Sequence, residues 1–285
     1  VLQLSHEEMN KLFQFLENNY LPENRAYQYD FFYNNCSTKI WDVLEAVFSD
    51  DLKLDGDYLN EQFTHRELIR QNMPLNSWSS FGIDIALGAV IDDLATPKEH
   101  MFLPLYIMKQ LNTSQLKAKP IAPNEVSIYQ PQPNDSKSNF ILTPLFWTLV
   151  LMVLVLLITY KNHSGNDSSN WLDFSLFFVT GLAGVVIFFL WFLTDHTATA
   201  NNFNILCAFP LNLFLAFLIW RSKNFPKSVS WYIPMLLIML IIVAMLWLLE
   251  VQIFSPAIIP ILLALGIRYL YIYKFYRKPI SPRTK

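Results

Sequence analysis

Five apolar stretches in the second half constrain this chain more than any other feature. They cover about 140–160, 172–194, 203–220, 231–249 and 254–273. Each approaches the ~20 residues a helix needs to cross ~30 Å of hydrocarbon. Tyr160, Trp171, Trp220 and Trp231 flank them, as amphipathic rings do at a membrane–water interface. The expected architecture is mainly α, with a five-helix transmembrane bundle over 139–285.

Charge separates that bundle from the rest. Residues 1–138 carry 11 Lys+Arg and 19 Asp+Glu, against 10 and 4 in residues 139–285. A chain with 15% charged residues, net charge −2 and no basic stripe offers nucleic acid no track, so no nucleic-acid partner is expected. At 53% hydrophobic residues it is not a disordered chain, and two cysteines do not make a disulfide scaffold.

Loop charges orient the bundle. Lys161 lies in one connection; Arg221, Lys223 and Lys227 lie in another; Lys274, Arg277, Lys278, Arg283 and Lys285 follow the last stretch. The alternate loops, 195–202 and 250–253, hold no Lys or Arg. The positive-inside rule then puts the C-terminus in the cytoplasm and residues 1–138 outside. In a bacterium this is a multi-pass inner-membrane protein with a periplasmic domain. The chain opens on Val1 with no signal-peptide pattern, which reads as an N-terminal truncation.

Polar residues gather at the outer ends of the stretches: Asp195, His196, Asn201, Asn202, Asn204, Glu250 and Gln252. They fit hydrated loops, or a surface that meets a lipid headgroup or a substrate. His196, Asn202, Asn204 and Gln252 are the candidates for substrate binding at the membrane face. Pro210 and Asn212 predict a bend in the third stretch. Arg268, near the inner end of the fifth, is expected to snorkel.

In the outer half, Ser5 with Glu8 and Thr64 with Glu67 have the spacing of capping boxes. The first predicts a helix to about Asn19, stopped by Leu21-Pro22. Thr96-Pro97-Lys98-Glu99 opens another helix, and Asn76 is a candidate cap for one that stops at Gly88. Residues 117–138 read as a tether with a short strand at 126–129. The expected domains are 1–116, a linker at 117–138, and 139–285. His65 and His100 read as surface residues on helices, and His6 as part of a capping box.

Tyr27, Tyr29 and Phe31 alternate as in an extended segment. After them, Ile40, Val43, Leu44 and Val47 follow helical spacing, which puts Cys36 at a helix start. Free amides and the positive dipole end there favour a thiolate, so Cys36 is either a nucleophile or a small buried residue. Cys207 lies in the third apolar stretch, reads as packing, and is not expected to pair with Cys36.

The run Asn24-Arg25-x-Tyr27-x-Tyr29-Asp30-Phe31-Phe32-x-Asn34-Asn35-Cys36-Ser37-Thr38 resembles the Lnb family of Bacteroidetes, linked to lipoprotein N-acylation. Trp78-x-x-Phe81-Gly82-x-Asp84-x-x-Leu87-Gly88, Glu99-x-Met101-Phe102-Leu103-Pro104 and His196-x-Ala198-x-x-x-Asn202-x-Asn204 are similar to its later motifs. The resemblance implies a truncated α+β domain related to papain-like NlpC/P60 folds, with Cys36 as nucleophile. It implies transfer of an acyl chain from a phospholipid acyl donor, through a Cys36 thioester, to the amine of a diacylglyceryl lipoprotein acceptor. Asn35 would orient the base or donate to an oxyanion, Ser37 would offer its amide, and Arg25, Tyr29 and Asp30 would order the site. No cofactor and no metal are expected. The resemblance implies a base from a Gly-His pair upstream of the Asn-Cys run, which is expected to fall before Val1; within the chain His196 is the first substitute. The rival readings are an NlpC/P60-like cysteine hydrolase, a peptidase or thioesterase, and a non-enzymatic membrane scaffold.

Overall fold

The computed structural model describes residues 1–53, 58–129, 139–165, 169–221 and 231–277. It is mainly helical and divides into two compact units, Val1–Gln71 with Asp93–Ser136, and Asn72–Asp92 with Lys137–Lys285. Lys223, Lys227, Lys278, Arg283 and Lys285, which carry part of the charge argument for orientation, lie outside the described residues.

In the first unit, three helices begin on reciprocal capping boxes: α1 (His6–Tyr20) on Ser5 and Glu8, α3 (His65–Arg70) on Thr64 and Glu67, α5 (Pro97–His100) on Thr96 and Glu99. Each box satisfies two amides that a helix start would otherwise leave bare. The core forms where α2 (Thr38–Phe48) buries Trp41, Leu44 and Phe48 against Met101 and against Ile107 of α6 (Pro104–Thr113). Three two-residue strands close this core. β1 (Leu52–Lys53) pairs antiparallel with β2 (Gln115–Leu116), which pairs antiparallel with β3 (Lys119–Pro120). Leu52 and Leu116, opposite each other, both face the core.

The packed chain continues past 116, since Ile121 and Ala122 are buried in the same core. The tether therefore starts later than its composition suggests. Residues 126–129 form no strand, and 130–138 lie outside the described residues.

Among the described residues of the second unit, four segments are long and apolar enough to cross a membrane: Pro144–Gly165 (α7), Asn170–Phe192 (α8), Thr197–Arg221 and Pro256–Phe275. The last holds most of α11 (Ile259–Arg277). Between the third and fourth, α10 (Tyr232–Leu248) is apolar but has 17 residues. The third segment is broken, as Pro210 predicts. Short 3-10 turns at Thr197–Thr199 and Phe203–Leu206 lead to α9 (Leu211–Arg221). This broken stretch lies directly on α8. A Cβ on Gly184 would stand 1.8 Å from the Ala208 carbonyl oxygen, and one on Gly181 2.0 Å from the Leu213 nitrogen. Small residues at membrane helix contacts permit such backbone approach.

Arg268 does not snorkel. It is 0% exposed and grips Asp173 with two nitrogens, at 2.6 and 3.1 Å, while Nη1 donates to Thr159 at 3.2 Å and Asn162 at 2.9 Å. A guanidinium this deep needs a carboxylate and further acceptors, and α8 and α7 supply them.

The second unit also takes in 72–92, a stretch that the sequence-based division leaves inside the outer domain. Hydrogen bonds explain why. Asn76 Oδ1 accepts from Leu145 N at 3.2 Å, and Trp78 Nε1 donates to the Leu142 carbonyl at 2.8 Å. Asn76 thus serves α7. The helix after it, α4 (Trp78–Ala86), is capped by Ser77, whose side chain accepts from Ser80 N. Past α4, Gly88 N donates to Ala198 O and Ala89 N to Asn201 O, both at 3.0 Å. A Cβ on Gly88 would stand 1.8 Å from the Ala200 oxygen, so glycine is required there. Ile253 N donates to Asp92 Oδ2 at 3.2 Å.

Candidate functional site

Cys36 is exposed, two residues ahead of α2. The turn that presents it is built by two side chains. Asp30 Oδ1 accepts from Phe32 N at 2.9 Å and Tyr33 N at 3.0 Å, while the backbones of Asp30 and Asn34 exchange two hydrogen bonds at 3.1 Å. The alternating segment before Cys36 is thereby folded into a tight turn and leaves Tyr29 and Phe31 exposed.

Asn35 is the second organiser. Its Oδ1 accepts from Ser37 N at 2.8 Å and Thr38 N at 2.9 Å. Its Nδ2 donates to the Phe31 carbonyl at 3.0 Å and the Phe102 carbonyl at 2.9 Å. Thr38 Oγ1 closes the figure by accepting from Asn35 N at 2.9 Å. This is the logic of a capping box with Asn and Thr three apart, and that spacing is the signal for Thr38; Phe102, 67 residues away, carries no such local signal.

The geometry corrects two assignments. Both amide hydrogens of Asn35 are engaged, so it shapes the turn and does not donate to an oxyanion or orient a base. Ser37 N is held by Asn35 Oδ1 and is not free for an oxyanion either. The helix-start amides offered to a thiolate are likewise taken, Thr38 N by Asn35 Oδ1 and Lys39 N by the Asn35 carbonyl. Cys36 N makes no hydrogen bond among the described residues, and the Ser37 hydroxyl is likewise buried without a partner among them. Of the supporting residues, Asp30 orders the turn. The exposed Arg25 and Tyr29 make no side-chain hydrogen bond or ion pair among the described residues.

Two histidines are misread by sequence. His100 is 0% exposed. Its Nδ1 meets the Thr96 carbonyl at 2.8 Å and its Nε2 accepts from Phe63 N at 3.1 Å, which fixes a neutral ring with hydrogen on Nδ1. His65 is 3% exposed and lies among Phe32, Tyr33 and Phe102, its ring 4.6 Å from that of Phe32. Its Nε2 is buried without a partner among the described residues. Burial lowers the pKa of both rings.

A cavity of about 220 Å³ opens beside the first turn of α2, lined by Phe32, Tyr33, Thr38, Trp41, Asp42 and Glu99, among others. Trp41 Nε1 is buried and unpaired among the described residues.

In the second unit, three of the four membrane-face candidates are structural. Asn202 Nδ2 donates to the Ile85 and Ala86 carbonyls at 2.8 and 3.0 Å. Asn204 Nδ2 donates to the Asp84 carbonyl at 2.9 Å and to Asn202 Oδ1 at 2.9 Å. Together they satisfy the carbonyls that end α4, and both are buried. Gln252 Oε1 accepts from Phe203 N at 2.8 Å, and Gln252 is fully buried. None of the three presents a free surface to a substrate. His196 is exposed. Cys207 is buried, with Sγ 3.2 Å from the Asn204 carbonyl.

Comparison with known families agrees with these two halves. The Lnb N-terminal periplasmic domain matches residues 1–71, and the Lnb transmembrane domain matches residues 135–279. No curated protein and no solved structure matches the chain. With just over half its length covered by the second match alone, the chain belongs to the Lnb family, as a membrane-spanning protein with a periplasmic N-terminal domain.

Proposed function

We propose that this protein is an acyltransferase that moves a fatty acyl chain from phospholipid, through a thioester on Cys36, to the N-terminal amine of diacylglyceryl lipoproteins. The observation that carries the reading is the exposed Cys36 thiol on a turn pinned by Asp30 and Asn35. A nucleophile needs a fixed position and an open approach, and this cysteine has both.

Cys36 gives its proton to a base, and Sγ bonds the ester carbonyl carbon. The ester C–O bond breaks and the lysophospholipid hydroxyl leaves with a proton. The acceptor amine then bonds the same carbon, the C–S bond breaks, and the amine's proton returns to the thiolate. The tetrahedral oxyanion of each step would be met by Cys36 N, an amide with no hydrogen bond among the described residues. The small antiparallel sheet packed with α2, the helix that follows Cys36, supports kinship with papain-like NlpC/P60 folds.

Five crossings, with the C-terminus cytoplasmic, are part of this reading. What supports them is the pairing of helix ends. The start of α7, the α8–α9 connection and the α10–α11 connection all bond to 72–92. At the other end, His163 of α7 and Tyr271 of α11 stand with ring centroids 6.4 Å apart. Two parallel helices so placed need a return crossing by α10, whose 17 residues span roughly 26 Å. An apolar groove of about 880 Å³ between α10 and α11 suits a lipid substrate.

The test uses the full chain in lipid nanodiscs with phospholipid labelled in its acyl chain. The label should appear on the protein, be released by neutral hydroxylamine, and pass to a diacylglyceryl peptide with a free amine. Cys36→Ala should abolish both steps. Release to water with no transfer to the peptide would replace the reading with a hydrolase. Full transfer by Cys36→Ala would end it.

A further inference from the structure

We infer that the end of the bundle away from 72–92 holds a phospholipid by its phosphate, in a groove between α7 and α11. The groove has a volume of about 440 Å³ and is lined by Leu156, Thr159, Tyr160, His163, Ile267, Leu270, Tyr271 and Lys274. Its composition is graded. Leu156, Ile267 and Leu270 form the deeper wall, while Tyr160, His163 and Lys274 stand one to two turns nearer the helix ends. A hydrocarbon chain fits the first part, and a headgroup fits the second.

The charge points to an anion. Lys274 is exposed and joins no ion pair among the described residues. Among the described residues no carboxylate lines the groove. The nearest buried acid in the same network, Asp173, is already held by Arg268 behind the groove wall. That wall is shared: Thr159 accepts from Arg268 Nη1 at 3.2 Å, and the Arg268 guanidinium lies 5.0 Å from the Tyr271 ring centroid. The ion pair fixes the two residues that border the headgroup region. The phosphate would bond Lys274 Nζ, with the Tyr160 hydroxyl and the His163 ring as further donors. The carbonyl ends of two helices oppose an anion here, an effect that falls off within the last turn and that charge-assisted hydrogen bonds from more than one donor offset. The site does not depend on the acyl-transfer reading, because its residues lie at the opposite end of the helices from the contacts with 72–92.

The test is lipid retention by the full chain, purified in detergent and measured by native mass spectrometry. Phosphatidylglycerol, phosphatidylethanolamine, a diacylglycerol with the same chains, and glycerol phosphate are added separately. Both phospholipids should stay bound at one per chain; diacylglycerol and glycerol phosphate should not. Lys274→Gln, an exposed change, should weaken retention about tenfold, the worth of one charge-assisted hydrogen bond, and Lys274→Arg should restore it. Leu270→Trp should block the groove from the apolar side, with circular dichroism confirming the fold. Equal retention of diacylglycerol would overturn the phosphate contact. Unchanged retention in both Lys274→Gln and Leu270→Trp would overturn the site. Retention of glycerol phosphate would reduce it to a phosphate site with no lipid specificity.

Discussion

Asn35 Nδ2 lies 2.9 Å from the Phe102 carbonyl, and this one bond ties the turn that carries Cys36 to a chain segment 67 residues away. The other side of the same amide caps α2 through Ser37 N and Thr38 N. A single side chain therefore sets both the local shape of the turn that carries Cys36 and its anchorage in the core. Asn35→Ala would leave buried donors and an acceptor unpaired, and a cost of about 2–4 kcal/mol is expected. Asn35→Asp is the sharper variant. It keeps an oxygen for the two amides but sets a second oxygen against the Phe31 and Phe102 carbonyls. Thermal melts should show both variants destabilised. An Asn35→Asp protein as stable as the parent would contradict the bracing role.

The Asn202 and Asn204 clamp gives the next prediction. Both side chains end α4 by taking its last carbonyls. Asn202→Ala with Asn204→Ala should loosen 72–92, seen as faster limited proteolysis within that stretch. The loss in stability should be roughly 2–4 kcal/mol, from two buried amides removed with their acceptors left behind. Substrate-binding residues would behave differently, raising KM with the proteolysis pattern unchanged.

Legibility from sequence follows distance along the chain. The boxes of Ser5 with Glu8, Thr64 with Glu67 and Thr96 with Glu99 were readable because each is closed by residues three apart. Four of the five apolar stretches were readable as candidate spans because span length is a property of composition. The break near Pro210 was readable because proline acts on its own neighbours. Arg268 was misread because its partner Asp173 is 95 residues away. Asn202 was misread because the carbonyls it serves are 116 and 117 residues away. His65 was misread because the ring of Phe32 that covers it lies on another element. At the site itself, Cys36 was legible as a helix-start cysteine, while the use of Ser37 N and both Asn35 hydrogens was not, since it depends on where Phe102 falls.

The Arg268–Asp173 pair predicts an asymmetric mutational pattern. Arg268→Met or Asp173→Leu alone leaves a buried charge without its partner, which typically costs about 3–5 kcal/mol. The double variant removes both charges and should recover much of that loss. A snorkelling arginine would show little effect in any of the three. Retained folded yield after extraction into mild detergent, compared across the set, separates the two cases.

The buried histidines give the last prediction, a pH dependence whose sign is fixed by their environment. Burial lowers the pKa of His65 and of His100 in the folded protein. Above the unfolded value of about 6.5 both rings are neutral in either state and contribute no slope. As pH falls through that value the unfolded chain binds protons first, so folding stability falls, by up to about 1.4 kcal/mol per pH unit for each ring. The loss continues until the lower folded pKa is passed. Melts of the first unit between pH 7.5 and 5.5 isolate this effect, because that window lies above the ordinary carboxylate range. His65→Phe keeps an aromatic ring against Phe32 and Phe102 and removes the proton site, so it should flatten the slope by about one ring's share. His100→Phe should flatten it too, but at a cost in stability at every pH, since Phe63 N would lose its acceptor. The two variants also sort structure from chemistry. If His65 serves only packing, His65→Phe keeps acyl transfer at pH 7.5; if its free Nε2 acts as the base for Cys36, transfer falls by about 10²–10⁴-fold while the melt at that pH is unchanged.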